Sequence, residues 1–261
     1  MQGGVNTVVR VGRTVRRPTG PWTPAVHALL RHLAEAGFAG APRVHGFDDQ
    51  GREVLDFVEG MVAMYPVPAA ARTDEALRGV GVLLRAFHDA TVGFTPPPDA
   101  VWYVPAREPG EVICHGDVAG YNTVFREGRP VALIDFDTAH PGPRVWDVAY
   151  AAYRFAPLSA SADMADATDT ADAEGFHVTP AEQAGRVRLF ADAYGLSEAD
   201  RAALPEVAIE RLRHLVGHMR DQAAAGHAGF AEHVRRGDDR LYLADVEHIA
   251  RHANEFRAAL L

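Results

Sequence analysis

Apolar positions alternate over short runs in the first sixty residues, then settle into a helical period, so a strand-rich segment leads into a helical one. Residues 7–11 and 14–17 predict two strands joined by a tight turn at Gly12-Arg13. Pro18 and Pro21 break the pattern, and Thr23-Pro24 starts a helix as an N-cap followed by proline at the first helical position. Leu29, Leu30, Leu33 and Ala36 form the buried stripe of that helix, and Gly37 stops it. Residues 43–47 and 53–58 predict two more strands around the turn at Asp48 to Gly51.

Beyond Gly60 the pattern is mainly helical. Residues 74–91 carry Leu77, Val80, Leu84 and Phe87 on one face and acids in the first turn. Short apolar strands at 112–114, 123–125 and 131–134 flank a compact loop, and 146–155 predicts a helix. Residues 158–178 are rich in Ala, Asp, Ser and Thr and predict a surface loop. Helices resume at Thr179-Pro180, where Glu182 completes a capping box, and at Ser197 after the Gly195 stop; a last one covers 239–260. The expected outline is a small lobe over residues 1–60 and a larger helical lobe over 61–261.

Composition narrows the function classes. The formal charge of −9 disfavours nucleic acid and anionic membranes as partners and gives a weak hint of a cationic substrate. No apolar run is long enough to span a membrane, and the N-terminus shows no basic start followed by an apolar stretch. The single cysteine, Cys114, excludes an internal disulfide and predicts a cytoplasmic location. Lysine is absent from the whole chain, so a site that ordinarily uses lysine must use arginine here.

The chemistry concentrates between Val112 and Tyr150. His115-Gly116-Asp117 is followed after four residues by Asn122, and an Asp135-Phe136-Asp137 triplet ends the next hairpin. Phosphoryl transfer needs a carboxylate to orient an attacking hydroxyl and accept its proton, and oxygen ligands to hold Mg²⁺ against phosphates. An Asp and an Asn at this spacing match the kinase catalytic loop, in which the Asp is the base and the Asn binds metal.

These motifs resemble the aminoglycoside phosphotransferase-like family, over residues 8–155 and more weakly beyond. The resemblance implies an α+β, bilobal protein-kinase-like fold and a kinase of small-molecule hydroxyls using ATP or GTP with Mg²⁺. It assigns Asp117 as base and Asn122 and Asp135 as metal ligands. His115 supports the catalytic loop, and Asp147, in Trp146-Asp147-Val148-Ala149, braces it. Asp137 is either a second metal ligand or a charged hairpin residue.

For the phosphate-gripping base on the third kinase strand, Arg16 is preferred over Arg17 because Arg16 shares a strand face with Thr14. The helix that ordinarily carries a partnering glutamate offers Val26 and His27 instead. Gly3-Gly4 resembles a remnant of the glycine-rich loop, and the backbone of Phe57, Val58 and Glu59 is expected at the adenine edge. The acceptor stays open among aminoglycosides, amino sugars, macrolides, choline-like alcohols and homoserine. Two other readings compete: a nucleotide-binding pseudoenzyme or regulatory module, and a metal phosphohydrolase built on His88-Asp89. His214 and His218 have helical metal-ligand spacing but read as an ordinary helix face.

Overall fold

A computed structural model describes residues 8–160 and 178–261. Gly3-Gly4 and nearly all of the predicted loop at 158–178 lie outside these residues.

β1 (Val9–Val11) and β2 (Thr14–Arg17) pair antiparallel across a turn in which Gly12 takes a φ of 63°. β3 (Val44–Phe47) and β4 (Glu53–Asp56) complete a four-stranded sheet in the order β1-β2-β4-β3. The β2–β4 register sets Arg17 directly opposite Glu53. That pairing joins strands 36 residues apart, so no hairpin rule could have fixed it from the sequence.

The helix α1 (Thr23–Glu35) lies against this sheet and buries Val26, His27, Leu29, Leu30 and Leu33. Its N-cap is Trp22, one residue before the expected Thr23, because the Thr23 hydroxyl accepts from the Gly20 N–H at 2.9 Å instead.

The second lobe is built on α2 (Asp74–Thr91), whose bounds are the predicted ones. The Thr73 hydroxyl caps it by accepting from the Ala76 N–H at 3.1 Å, and Asp74 and Glu75 complement its dipole. Leu77, Val80, Leu84 and Phe87 are at most 1% exposed, which makes α2 the axis of the core. A leucine truncated to alanine there would cost about 2–5 kcal/mol.

Against α2 pack α3 (Arg144–Phe155) and α4 (Pro180–Tyr194); α5 (Glu198–Ala224) packs on α3, α6 (Ala228–Arg236) on α5, and α7 (Asp238–Leu260) on α4 and α5. The capping box at Thr179 and Glu182 forms as expected. Two small sheets hold the loops of the site: β5 (Met61–Val62), β7 (Thr123–Arg126) and β8 (Arg129–Leu133) in one, β6 (Val112–Cys114) and β9 (His140–Gly142) in the other. β5, β9 and α6 were not expected. Strands of two or three residues are too short to show a period.

Candidate active site

β6 ends at Cys114 and delivers His115, Gly116 and Asp117 into a tight loop. Gly116 has φ 84°, and a Cβ there would lie 2.4 Å from the Thr138 carbonyl oxygen, so the middle position tolerates no side chain. His115 is fully buried. Its Nδ1 accepts from the Asp117 N–H at 3.3 Å, leaving Nε2–H to donate to the Ile134 carbonyl at 3.1 Å. The ring thus fastens the loop to the end of β8.

Asp147, on α3, holds the same loop from beneath. One oxygen accepts from the His115 N–H at 2.6 Å and the other from the Gly116 N–H at 3.0 Å. Burial alone would push this carboxyl up; the hydrogen bond from His88, with help from the His115 N–H, outweighs that and holds it at about 2. His88 Nε2 lies 3.1 Å from Asp147, and its Nδ1 lies 2.7 Å from the Tyr194 hydroxyl. Burial holds His88 below the ordinary imidazole value, and the neutral ring satisfies both neighbours by donating to Asp147 and accepting from Tyr194.

The Asp117 carboxylate accepts from the Tyr121 hydroxyl and from Asn122 Nδ2, each at 2.8 Å. Asn122 also accepts, through its backbone carbonyl, from the Ile134 N–H at 2.9 Å, which brings the next residue, Asp135, to the same place. Asp135 adopts a left-handed backbone, φ 66° and ψ 68°, and its side chain is 50% exposed. A non-glycine residue in that region is held there by its surroundings at a cost of about 1–3 kcal/mol, a strain that clusters at functional sites.

The basic residue beside Asp135 is Arg17, which corrects the preference for Arg16. Arg17 donates to Asp135 at 2.7 Å and also bonds Asp137 and Glu53. Arg16 sits on the other face of β2, donating to the Thr14 hydroxyl at 2.6 Å and lying 3.7 Å from Asp48. The expected strand alternation was right, but the wrong face was chosen: Val15, which shares Arg17's face, is the residue packed against the core.

A buried acid partners this arginine, although the helix offers Val26 and His27 as expected. It comes from β4 rather than the helix: Glu53 binds Arg17 and also His27 of α1 at 2.8 Å. Burial would raise the Glu53 carboxyl, but His27 and Arg17 together bring it below its ordinary value. Asp137 stays above its ordinary value, since burial and the neighbouring Asp135 outweigh Arg17.

Phe57, Val58 and Glu59 line a cavity of about 350 Å³ together with Leu30 and Ala34 of α1 and Phe38 beyond it. Asp117, Asn122 and Asp135 do not line it. The Phe57 N–H already donates to the Arg13 carbonyl at 2.9 Å, and the Glu59 carbonyl accepts from Arg126 at 2.8 Å. Those two backbone groups are therefore occupied within the chain.

His88 and Asp89 point apart, His88 into the core and Asp89 to ion pairs with Arg85 and Arg144 at 2.8 and 2.9 Å. His214 edges Trp146, whereas His218 edges Tyr103 and Phe230. The sequence reading missed Tyr121 on the Asp117 carboxylate and Arg211 of α5, which donates to the Gly116 carbonyl at 2.6 Å. Tyr121 adjoins Asn122 in the sequence; Arg211 carried no signal.

The family model of phosphotransferase enzymes matches residues 99–190, the stretch that holds the loop, the Asp135 hairpin and α3. A trifolitoxin immunity protein from Rhizobium leguminosarum bv. trifolii is 38% identical over 228 residues, covering 85% of this chain and 83% of that protein. The chain belongs to the phosphotransferase enzyme family. Among solved structures, an ethanolamine kinase from Plasmodium vivax aligns over 97% of this chain and 84% of its own, with TM-score 0.58 and 10% identity. An aminoglycoside 2'-phosphotransferase of type IIIa, in complex with GDP, aligns over 99% and 92%, with TM-score 0.57 and 14% identity. At such identities the likeness concerns the fold, a bilobal kinase-like one. Among the described residues no helix is long and apolar enough to cross a membrane.

Proposed function

We propose that the chain transfers the γ-phosphoryl group of Mg-ATP or Mg-GTP to a hydroxyl of a small molecule. The observation that carries this reading is the hydrogen-bonded run from Asp117 through Asn122 to Ile134 and Asp135. In it, Asp117 is the base. Its two oxygens, set by Tyr121 and Asn122, orient the attacking hydroxyl and receive its proton. Asn122 and Asp135 would hold the magnesium. The donor set fits: Asn122 spends its NH₂ on Asp117 and keeps its side-chain oxygen, and Asp135 is half exposed. When bound, the ion draws charge from the phosphates. No cluster of three or more His, Cys, Asp or Glu able to hold a metal exists among the described residues, so phosphate oxygens and water must complete the shell.

Arg17 is the cation for the phosphates, with Glu53 and His27 fixing its guanidinium. His115 and Asp147 support the loop. The immunity protein's name suggests the setting: phosphorylation of a toxin's hydroxyl would be a means of self-protection. A second reading, a non-catalytic module of the same fold, draws on Arg17 being bonded to Asp135 and Asp137 at once. Asp117→Asn decides between them. It keeps the shape of the loop and removes the proton acceptor, so nucleotide-dependent phosphorylation across a panel of alcohols should fall about 100-fold or more while nucleotide affinity persists. Unchanged turnover would remove Asp117 as base; no turnover in the native chain with any alcohol would favour the module.

A further inference from the structure

One half-buried charge next to the proposed base makes no ion pair among the described residues. Asp147, Tyr150 and Arg154 follow one face of α3, so the helix that braces the catalytic loop also carries an arginine along its flank. The Arg154 guanidinium lies 5.0 Å from the centre of the Tyr65 ring, 5.5 Å from Tyr121 and 5.8 Å from Tyr153. Its Nε is buried without a hydrogen-bond partner. No carboxylate among the described residues makes an ion pair with it.

The acids nearby are committed elsewhere. Asp245 accepts from the Tyr153 hydroxyl at 2.6 Å and the Ala160 N–H at 2.8 Å, and Asp117 accepts from Tyr121 and Asn122. Tyrosine faces soften the desolvation of a guanidinium but replace only part of what an anion gives. Tyr121 joins the two ends: its hydroxyl bonds the Asp117 carboxylate while its ring borders Arg154. The Tyr150 hydroxyl, 3.4 Å from that of Tyr121, continues the polar path. A molecule reaching Arg154 with an anionic group therefore lays its neutral body over tyrosines on the way to the base.

Resting on the phosphotransferase reading above, we infer that the acceptor is a carboxylate-bearing alcohol, its carboxylate held by Arg154 and its hydroxyl presented to Asp117. This runs against the cationic substrate hinted at by the net charge. A local guanidinium within a few ångströms outweighs a diffuse surface charge that salt screens.

The test uses the full chain with Mg-ATP and Mg-GTP and acceptors paired to differ by one carboxylate. Homoserine is paired with 3-aminopropan-1-ol, glycerate with glycerol, and choline serves as a cationic control. The carboxylates should give kcat/KM about 10-fold or more above their partners, as expected for a charge-assisted bidentate contact. Arg154→Gln should bring the ratio within each pair close to one, and Arg154→Lys should keep part of it. Because the ratio is taken within one variant, loss of folded protein cancels. Equal or better turnover of the neutral or cationic acceptors, or an unchanged ratio in Arg154→Gln, overturns the inference. If no alcohol turns over, thermal protection by glycerate relative to glycerol takes its place. Protection of the native chain but not of Arg154→Gln sustains the anion site while counting against the phosphotransferase reading. Protection of both or of neither overturns the site.

Discussion

Two arginines flank the proposed site, Arg17 buried and Arg154 half-buried, and they are provided for in opposite ways. Arg17 meets three carboxylates, Glu53, Asp135 and Asp137, and one of those is bonded in turn to His27. Arg154 meets tyrosine rings and no carboxylate among the described residues. A charge withdrawn from water costs several kcal/mol unless partners replace the lost hydration. At Arg17 the fold supplies those partners itself, so the arginine is fixed before anything binds. At Arg154 the replacement is incomplete, which leaves an anion to be brought by a ligand. The first arrangement serves stability and geometry; the second keeps free energy in reserve for recognition.

The largest effect is expected where the charges are matched. Arg17→Ala leaves the buried Glu53 and the partly buried Asp137 with too few cations, and breaking such a network costs about 3–5 kcal/mol. Denaturant unfolding should show this loss, and nucleotide affinity should fall with it. Arg17→Lys should recover only part, because an ammonium cannot reach three carboxylates in the plane of a guanidinium. Arg16→Ala, which loses a part-buried contact to Thr14, should cost far less than Arg17→Ala, under about 1 kcal/mol. Equal losses for the two arginines would mean that the cluster around Arg17 is not a structural centre of the small lobe.

What the sequence made legible follows the range of the signals. Helix ends marked by local chemistry were found, as at Thr179 with Glu182 and over Asp74–Thr91. His115, Asp117 and Asn122 could be read as one cluster because short spacings within a single segment bring them together. Glu53 opposite Arg17 was not, since the register of β2 on β4 depends on a tertiary pairing. The face of β2 was misjudged for a related reason: alternation gives two faces without saying which is inward. Arg154 carries no signal in the sequence. Its setting among tyrosines, with no carboxylate partner among the described residues, exists only after α3, the loop around Asp117 and the segment carrying Tyr65 have come together.

A smaller effect is expected on acidification, through another buried charge that is fully matched. Asp147 is held at about 2 in the fold against 3.8 ordinarily, so its contribution is complete above pH 4 and lost as pH falls toward 2. That difference is worth on the order of 2 kcal/mol. His88 acts in the same direction but earlier. Its folded value lies below 6.5, so as pH drops under 6.5 the unfolded chain takes up a proton that the folded chain refuses, and stability declines. Melting temperature followed from pH 7 to pH 3 should fall in two stages. His88→Gln should remove the first stage and move the second to higher pH, because His88 is among the groups that hold Asp147 low. A flat profile down to pH 3 would show that neither group is tuned by its partners.

The smallest stability effect should come from the unmatched arginine, and its sign is the sharpest check on the contrast between the two. Arg154→Met keeps much of the side chain's length against the tyrosine rings and removes a charge that lacks an ion-pair partner among the described residues. The cation–π attraction removed by this change is worth about 0.5–2 kcal/mol, while the desolvation cost that leaves with the charge is of similar size or larger. The melting temperature should therefore stay level or rise, in contrast with the fall expected for Arg17→Ala. Such a pairing, stability unharmed and acceptor selectivity gone, is the signature of a residue retained for a ligand rather than for the fold. If Arg154→Met instead unfolds the chain as readily as Arg17→Ala, the tyrosines alone satisfy Arg154, and it holds nothing in reserve for an anion.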